Sequence, residues 1–288
     1  MRNAEIRQLE FVEVDMTYYD AGDEPARVRI FPPSSGRKLE SPPQRRVKVN
    51  VYDCRPMAQE LTLDVAGFEL LNAPTQFDDY YDAAAVKDQY YGETAELLKQ
   101  SLGAEAVFVF DHNVRNKPRA KLHQAGVSLP TDGAHNDYTL DSGPRRIREV
   151  LEAQNADDLI EKRAAIVNVW RPIRGPVQDH PLAICDARTT GIEDFIDTQI
   201  EHYSDSNFEQ PNLAGQIYSF QHNARHRWFY ASDMQDDEVL FLKCFDTATD
   251  GRACFTGHTG FINPTCPEEF IPRESIEART VVVFPEAR

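Results

Sequence analysis

The feature that most constrains this chain is the succession of short strand-like segments filling its last two-thirds. AVFVFDHNV (106–114), AAIVNVWRPI (164–173), HPLAICDA (180–187), GQIYSFQHN (215–223), RHRWFYASD (225–233), EVLFLKCFD (238–246), ACFTGHTGFIN (253–263) and SIEARTVVVF (275–284) follow one another. They are rich in β-branched and aromatic residues and separated by polar turns, which predicts strands. Many short strands in one stretch predict a mainly β chain, a sandwich or a jelly roll. Periodicity does not separate a jelly roll from an immunoglobulin-like sandwich, so the choice must come from chemistry.

The flanking regions are mixed. ARVRIF and VKVNVYDC alternate like strands on either side of a Pro- and Ser-rich loop at 31–46. Helical spacing opens at Asp82 and Ala83 and runs to Gly103, a natural stop. A second, short helix is expected through IREVLEAQ, and EDFIDTQIEHY reads as partly helical or irregular. No repeat or long linker divides the chain. The expectation is one unit over 1–288, with 1–104 flanking a core at 105–285.

The formal charge of −16 on 288 residues argues against a nucleic-acid binder or a polybasic membrane patch. Arg2, Glu5 and Arg7 interrupt any apolar leader, and no segment approaches the ~20 apolar residues of a membrane span. The five cysteines (Cys54, Cys185, Cys244, Cys254, Cys266) are scattered and odd in number. They read as reduced thiols of a cytoplasmic protein. The expected partner is a small molecule, and the oligomeric state is left open.

Within this frame, GAHNDYT (133–139) carries the chemistry. Residues i and i+2 of a strand share a face, so His135 and Asp137 would project together as two ligands for one metal. A second histidine would complete a two-histidine, one-carboxylate face, the arrangement suited to non-haem Fe(II). His258, in the next-to-last strand, is favoured, because the first and penultimate core strands of a jelly roll are close. His226 is the alternative ligand, although a core role beside Trp228 suits it as well. A keto acid co-substrate would need a cation for its far carboxylate, and arginine supplies a planar fork. In PRESIEAR, Arg273, Ser275, Glu277 and Arg279 share one face of the last strand; either arginine could be the clamp. Arg171 and Lys243 are further cations on core strands that could bind 2-oxoglutarate or an acidic substrate, although ion pairing is the simpler role. Tyr90, Tyr91, Trp170, Trp228 and Tyr230 are candidates to line a substrate pocket.

DHNVR (111–115), HNDYT (135–139), NVWRPIRGPV (168–177), PLAICDA (181–187), HRWFYASDM (226–234), DEVLFLKCFD (237–246), GHTGF (257–261) and PRESIEAR (272–279) occur in that order. Together they resemble the gibberellin-desaturase-like and cephamycin-methoxylation-associated family, hydroxylases and desaturases linked to the Fe(II)/2-oxoglutarate-dependent oxygenases. The resemblance covers roughly 45–285 and implies a double-stranded β-helix (jelly-roll, cupin-like) core. It also implies Fe(II) held by His135, Asp137 and His258, 2-oxoglutarate and O2 as co-substrates, and hydroxylation or desaturation of a small molecule of secondary metabolism. Arg273 and Ser275 look like the family's co-substrate carboxylate site. The spacing from His258 to Arg273 is longer than in many relatives, and GHTGF stands where an HTAF-like form is more usual. Two rival readings are an iron oxygenase whose substrate itself chelates the metal, and a non-catalytic jelly-roll binding protein.

Overall fold

The computed structural model describes residues 9–22, 25–32, 35–204 and 206–285. Met1, Arg2, Glu5 and Arg7, read above for a leader, lie outside the described residues, as do two residues of the 31–46 loop. The strands in chain order are β1 (Phe11–Tyr19), β2 (Ala26–Ile30), β3 (Gln44–Asp53), β4 (Phe68–Asn72), β5 (Ala106–Asn116), β6 (Val127–Ser128), β7 (His135–Asn136) and β8 (Ala164–Arg174). They continue as β9 (Leu182–Cys185), β10 (Phe195–His202), β11 (Leu213–Phe220), β12 (Trp228–Tyr230), β13 (Glu238–Asp246), β14 (His258–Gly260) and β15 (Glu274–Val283). They form a nine-stranded sheet, β1-β3-β12-β9-β14-β7-β11-β10-β2, and a six-stranded sheet, β4-β13-β8-β15-β5-β6.

The two sheets share apolar clusters. Trp170, Leu240 and Leu242 of the smaller sheet pack with Ile184 and Phe229 of the larger. Ile166, Phe245 and Val281 pack with Tyr218. Each such side chain, fully removed from water, contributes on the order of 1.5–3 kcal/mol. The strongly curled, facing sheets make the jelly roll expected from the strand pattern.

The outer face of the smaller sheet is covered by helix. Asp82 accepts from the amides of Ala84 and Ala85 at its start. The chain is α-helical over Ala83–Ala85, π-helical over Val86–Tyr90, and α-helical again over Tyr91–Leu102. It stops at Gly103, whose φ of 63° is the left-handed conformation that a glycine adopts without steric cost. Val86 and Tyr90 pack on Val114, Ile276 and Ala278; Leu98 packs on Val107 and Val282. The expected second helix spans Ser142–Ala153 and seats Ile147, Val150 and Leu151 against Ile166 and Phe245.

One expectation is corrected. EDFIDTQIEHY is strand β10, preceded by a 3-10 turn at Ile192–Asp194. It runs antiparallel to β11 and parallel to β2. Its alternation is masked because Glu201 is buried as an acceptor for Arg29 and Tyr203. The sequence shows a polar residue where the fold uses a paired one.

Candidate metal and co-substrate site

The site lies where the middle of the larger sheet faces β8 and β15. His258 is the direct cross-strand partner of His135, so their imidazoles stand on one face with ring centroids 4.6 Å apart. Strand β7 ends at Asn136, yet the Asp137 carboxylate turns to the same side. Its Oδ1 is 3.5 Å from His135 Nε2 and 3.9 Å from His258 Nε2. One ligand atom from each of the three lies within 4.8 Å of the others, the one such cluster of metal-ligating groups found among the described residues.

Hydrogen bonds from the surroundings orient these atoms. His135 Nδ1 is 2.7 Å from the Gly133 carbonyl; only an N–H can face a carbonyl, so Nε2 is the nitrogen turned toward Asp137. Asp137 Oδ2 accepts from the Asn168 amide at 2.8 Å and lies 3.4 Å from Arg279 Nε, which leaves Oδ1 to the imidazoles. The Arg279 guanidinium, with the histidine contacts, holds the Asp137 carboxyl well below the usual carboxylate range despite its burial. Burial and the neighbouring His135 push His258 down to about 3. At neutral pH His258 is therefore a neutral imidazole and Asp137 a carboxylate; with His135 they make the two-histidine, one-carboxylate set of a facial Fe(II) centre.

The depressed His258 has a consequence for folding. The unfolded imidazole takes a proton near pH 6.5, while the folded one resists it down to about 3. The unfolded state therefore binds more protons in that window, and stability falls as pH drops below about 6.5. Urea-unfolding midpoints of metal-free protein should be lower at pH ~5.5 than at pH ~7.5. His258→Gln should flatten that difference without abolishing it, because burial also depresses His112, His202, His222 and His226. A midpoint difference unchanged in the variant counts against a neutral buried His258.

On the far side of the same cavity stand Arg115, Trp170, Arg273 and Glu277. Arg273 Nε donates to Ser275 Oγ at 3.1 Å and Nη1 to the His180 carbonyl at 3.0 Å, with the guanidinium 5.0 Å over the Trp170 ring. All are neutral acceptors. Burial, and after it the like charge of Arg115, pull Arg273 down to about 9, the direction for a cation held without a counter-ion. Glu277 approaches Arg279 Nη2 at 3.5 Å; burial and the adjacent Asp137 charge push its carboxyl up.

The fold places other candidates elsewhere. Arg171 points from the opposite face of β8, where Nε meets Tyr90 Oη at 3.3 Å and Nη1 the Asp236 carbonyl at 3.0 Å. It is held under the helix and does not reach the cavity. Tyr90 is buried beside it, and Tyr91 Oη is 2.9 Å from His112 Nδ1 on the same outer side. Trp228 donates to Tyr18 Oη at 2.6 Å, and Tyr230 packs on Phe261, both in the core of the larger sheet. His226 stacks on Phe220 with centroids 4.5 Å apart and meets Asp194 at 3.2 Å, a core histidine rather than a ligand beside His135. Lys243 is an ion-pairing residue, 2.6 Å from Asp64 and 2.9 Å from Asp246. Arg279 is a partner of Asp137 and Asp111. Sequence reasoning did not single out Arg115 or Asn168, and placed Glu277 on the arginine face without giving it a role in the site; the alternation of β5, β8 and β15 is the signal that could have found them.

Residues 16–283 match the family model described as an oxidoreductase/YMDC permease-like domain. A hydroxylase/desaturase, efuI, of Hormonema carpetanum is 32% identical over 82% of this chain and 83% of its own. The alpha-ketoglutarate-dependent dioxygenase tstK of Talaromyces stipitatus is 30% identical over 82% and 84%. A hydroxylase/desaturase of Cercospora beticola, CTB9, is 30% identical over 98% and 90%. The chain belongs to this family of Fe(II)/2-oxoglutarate-dependent dioxygenases and hydroxylase/desaturases. The fold agrees: the iron and alpha-ketoglutarate-dependent endoperoxidase NvfI superimposes with a TM-score of 0.82 at 24% identity, over 96% of this chain and 99% of that one. The family's Fe(II) suits the donor set found here, in which the Gly133 carbonyl orients the His135 ring and the Nε2 atoms of both histidines face the Asp137 carboxylate. Among the described residues of this dioxygenase, no helix is long and apolar enough to cross a membrane.

Proposed function

We propose that His135, Asp137 and His258 hold Fe(II), that Arg273 and Ser275 bind the distal carboxylate of 2-oxoglutarate, and that the chain acts as one unit hydroxylating or desaturating a small-molecule natural product. The observation carrying this reading is the convergence of two imidazoles and one carboxylate beside a buried arginine whose guanidinium donates to neutral acceptors. Bound Fe(II), with the keto acid and dioxygen, supplies the oxidising chemistry for an unactivated C–H bond. The chain's own residues supply position. Asn168 and Arg279 fix the Asp137 carboxylate, and the Gly133 carbonyl fixes His135. Arg273, anchored to Ser275 and the His180 carbonyl, offers a rigid fork for a carboxylate. Trp170, beneath that guanidinium, walls the cavity with an apolar surface that excludes water. The five cysteines are unpaired, which supports a reducing compartment such as the cytoplasm.

Anaerobic titration of the purified protein with Fe(II) and then 2-oxoglutarate tests the assignment. A weak visible charge-transfer band should develop at one equivalent of each and be missing from His258→Ala. Wild-type protein that binds neither ligand overturns the reading.

A further inference from the structure

We infer that Arg115 is a second arm of the co-substrate site, joining Arg273 on the distal carboxylate of 2-oxoglutarate. This rests on the function proposed above and adds a residue to it. Arg115 lies on β5 directly opposite Ser275 of β15, and the Ser275 hydroxyl is the acceptor for Arg273 Nε. Arg273, just before β15, and Arg115, on the neighbouring strand, are thus both next to Ser275, and both line the cavity that holds His135, Asp137 and His258.

Arg115 resembles Arg273 in what it lacks. Its Nη1 donates to the Leu129 carbonyl at 2.5 Å, a neutral acceptor. Among the described residues no carboxylate pairs with either arginine, whereas Arg279 on the same strand face meets Asp111, Asp137 and Glu277. Glu277 lines the cavity with Arg115, yet its ion-pair contact is with Arg279. Two cations in one desolvated cavity repel each other and are costly unless an anion joins them. Burial lowers both arginines; Glu277, which pulls each of them the other way, does not offset that burial together with the like charge of Arg279 on Arg115 and of Arg115 on Arg273. A carboxylate has two oxygens and about four lone-pair directions, enough for two arginine forks and the Ser275 hydroxyl.

The test compares two keto acids on Fe(II)-loaded protein without oxygen. 2-Oxoglutarate has the distal carboxylate, and 2-oxobutyrate keeps the chelating end but lacks it. Arg115→Gln should weaken 2-oxoglutarate binding by about tenfold or more, as expected for loss of a charge-assisted contact, and leave 2-oxobutyrate binding unchanged. Arg115→Lys should fall between, keeping charge without the fork. Because Arg115 also holds the Leu129 carbonyl just before the His135 strand, a purely structural role would weaken both keto acids together; that result overturns the inference. Unchanged 2-oxoglutarate affinity in Arg115→Gln also overturns it and leaves the proposed function standing. Wild-type protein that fails to bind 2-oxoglutarate removes the underlying reading itself, a separate and recognisable failure.

Discussion

Asp137→Ala is expected to purify and refold without iron and to lose turnover by roughly a thousandfold or more, the loss expected when a metal-dependent reaction loses its metal. Asp137 is the anionic member of the donor set, and burial keeps His258 neutral. Without the carboxylate, no anionic ligand would face the dication, and the Arg279 guanidinium, 3.4 Å from Asp137 Oδ2, would be left close to it. Attraction is lost and an uncompensated repulsion remains, so the effect should exceed that of His258→Ala, which removes a neutral ligand. The chain should still fold, because Arg279 keeps Asp111 and Glu277 as partners. Elemental analysis after anaerobic reconstitution, read beside succinate formation from 2-oxoglutarate and a circular dichroism melt, decides the matter. One equivalent of iron retained by the folded variant would show that the metal is held elsewhere.

The legible parts of this protein were those where the local pattern and the tertiary use of a residue agree. β8 and β13 read as strands because most side chains on them are apolar and nearly all are buried, and Gly103 ended its helix for the steric reason that marks it in any sequence. His135 and His258 were legible as a pair because jelly-roll order makes their strands neighbours, and the register puts them face to face. Asp137 reached the same face although its strand ends one residue earlier, held there by Asn168 and Arg279 rather than by pleat. The misread residues share a cause. Arg171 and Arg273 are both arginines on core strands, but one points beneath a helix and the other into the cavity, and only the pairing of the two sheets decides which. β10 failed as a strand because its buried Glu201 is satisfied by Arg29, more than 170 residues away in sequence. Aromatic residues were the poorest guide: of five candidates only Trp170 lines the cavity, since large rings fill sandwich interiors whatever the protein does.

The second large effect concerns Arg279, whose change to methionine should destabilise the metal-free protein far more than the metal-loaded one. Arg279 lies between the half-buried Asp137 and the buried Glu277 at the cavity, and also reaches the more exposed Asp111. Removing one partner of a buried ion pair costs on the order of 3–5 kcal/mol, because the remaining charge is left desolvated. The lower end is expected here. The Glu277 carboxyl is already pushed up by burial and by Asp137, so it can take a proton and relieve part of the repulsion. For a chain of this size the loss should lower Tm by on the order of 10 °C. A divalent metal changes the balance, because it compensates Asp137 directly and is no longer repelled by the arginine. The rise in Tm on adding Mn(II), a redox-silent stand-in for Fe(II), should therefore be larger in Arg279→Met than in wild type, by the linkage between folding and ligand binding. Thermal melts of both proteins, with chelator and with Mn(II), provide the comparison. Equal losses in the two conditions would mean that Arg279 serves the strand packing alone and does not act as the counter-charge of Asp137.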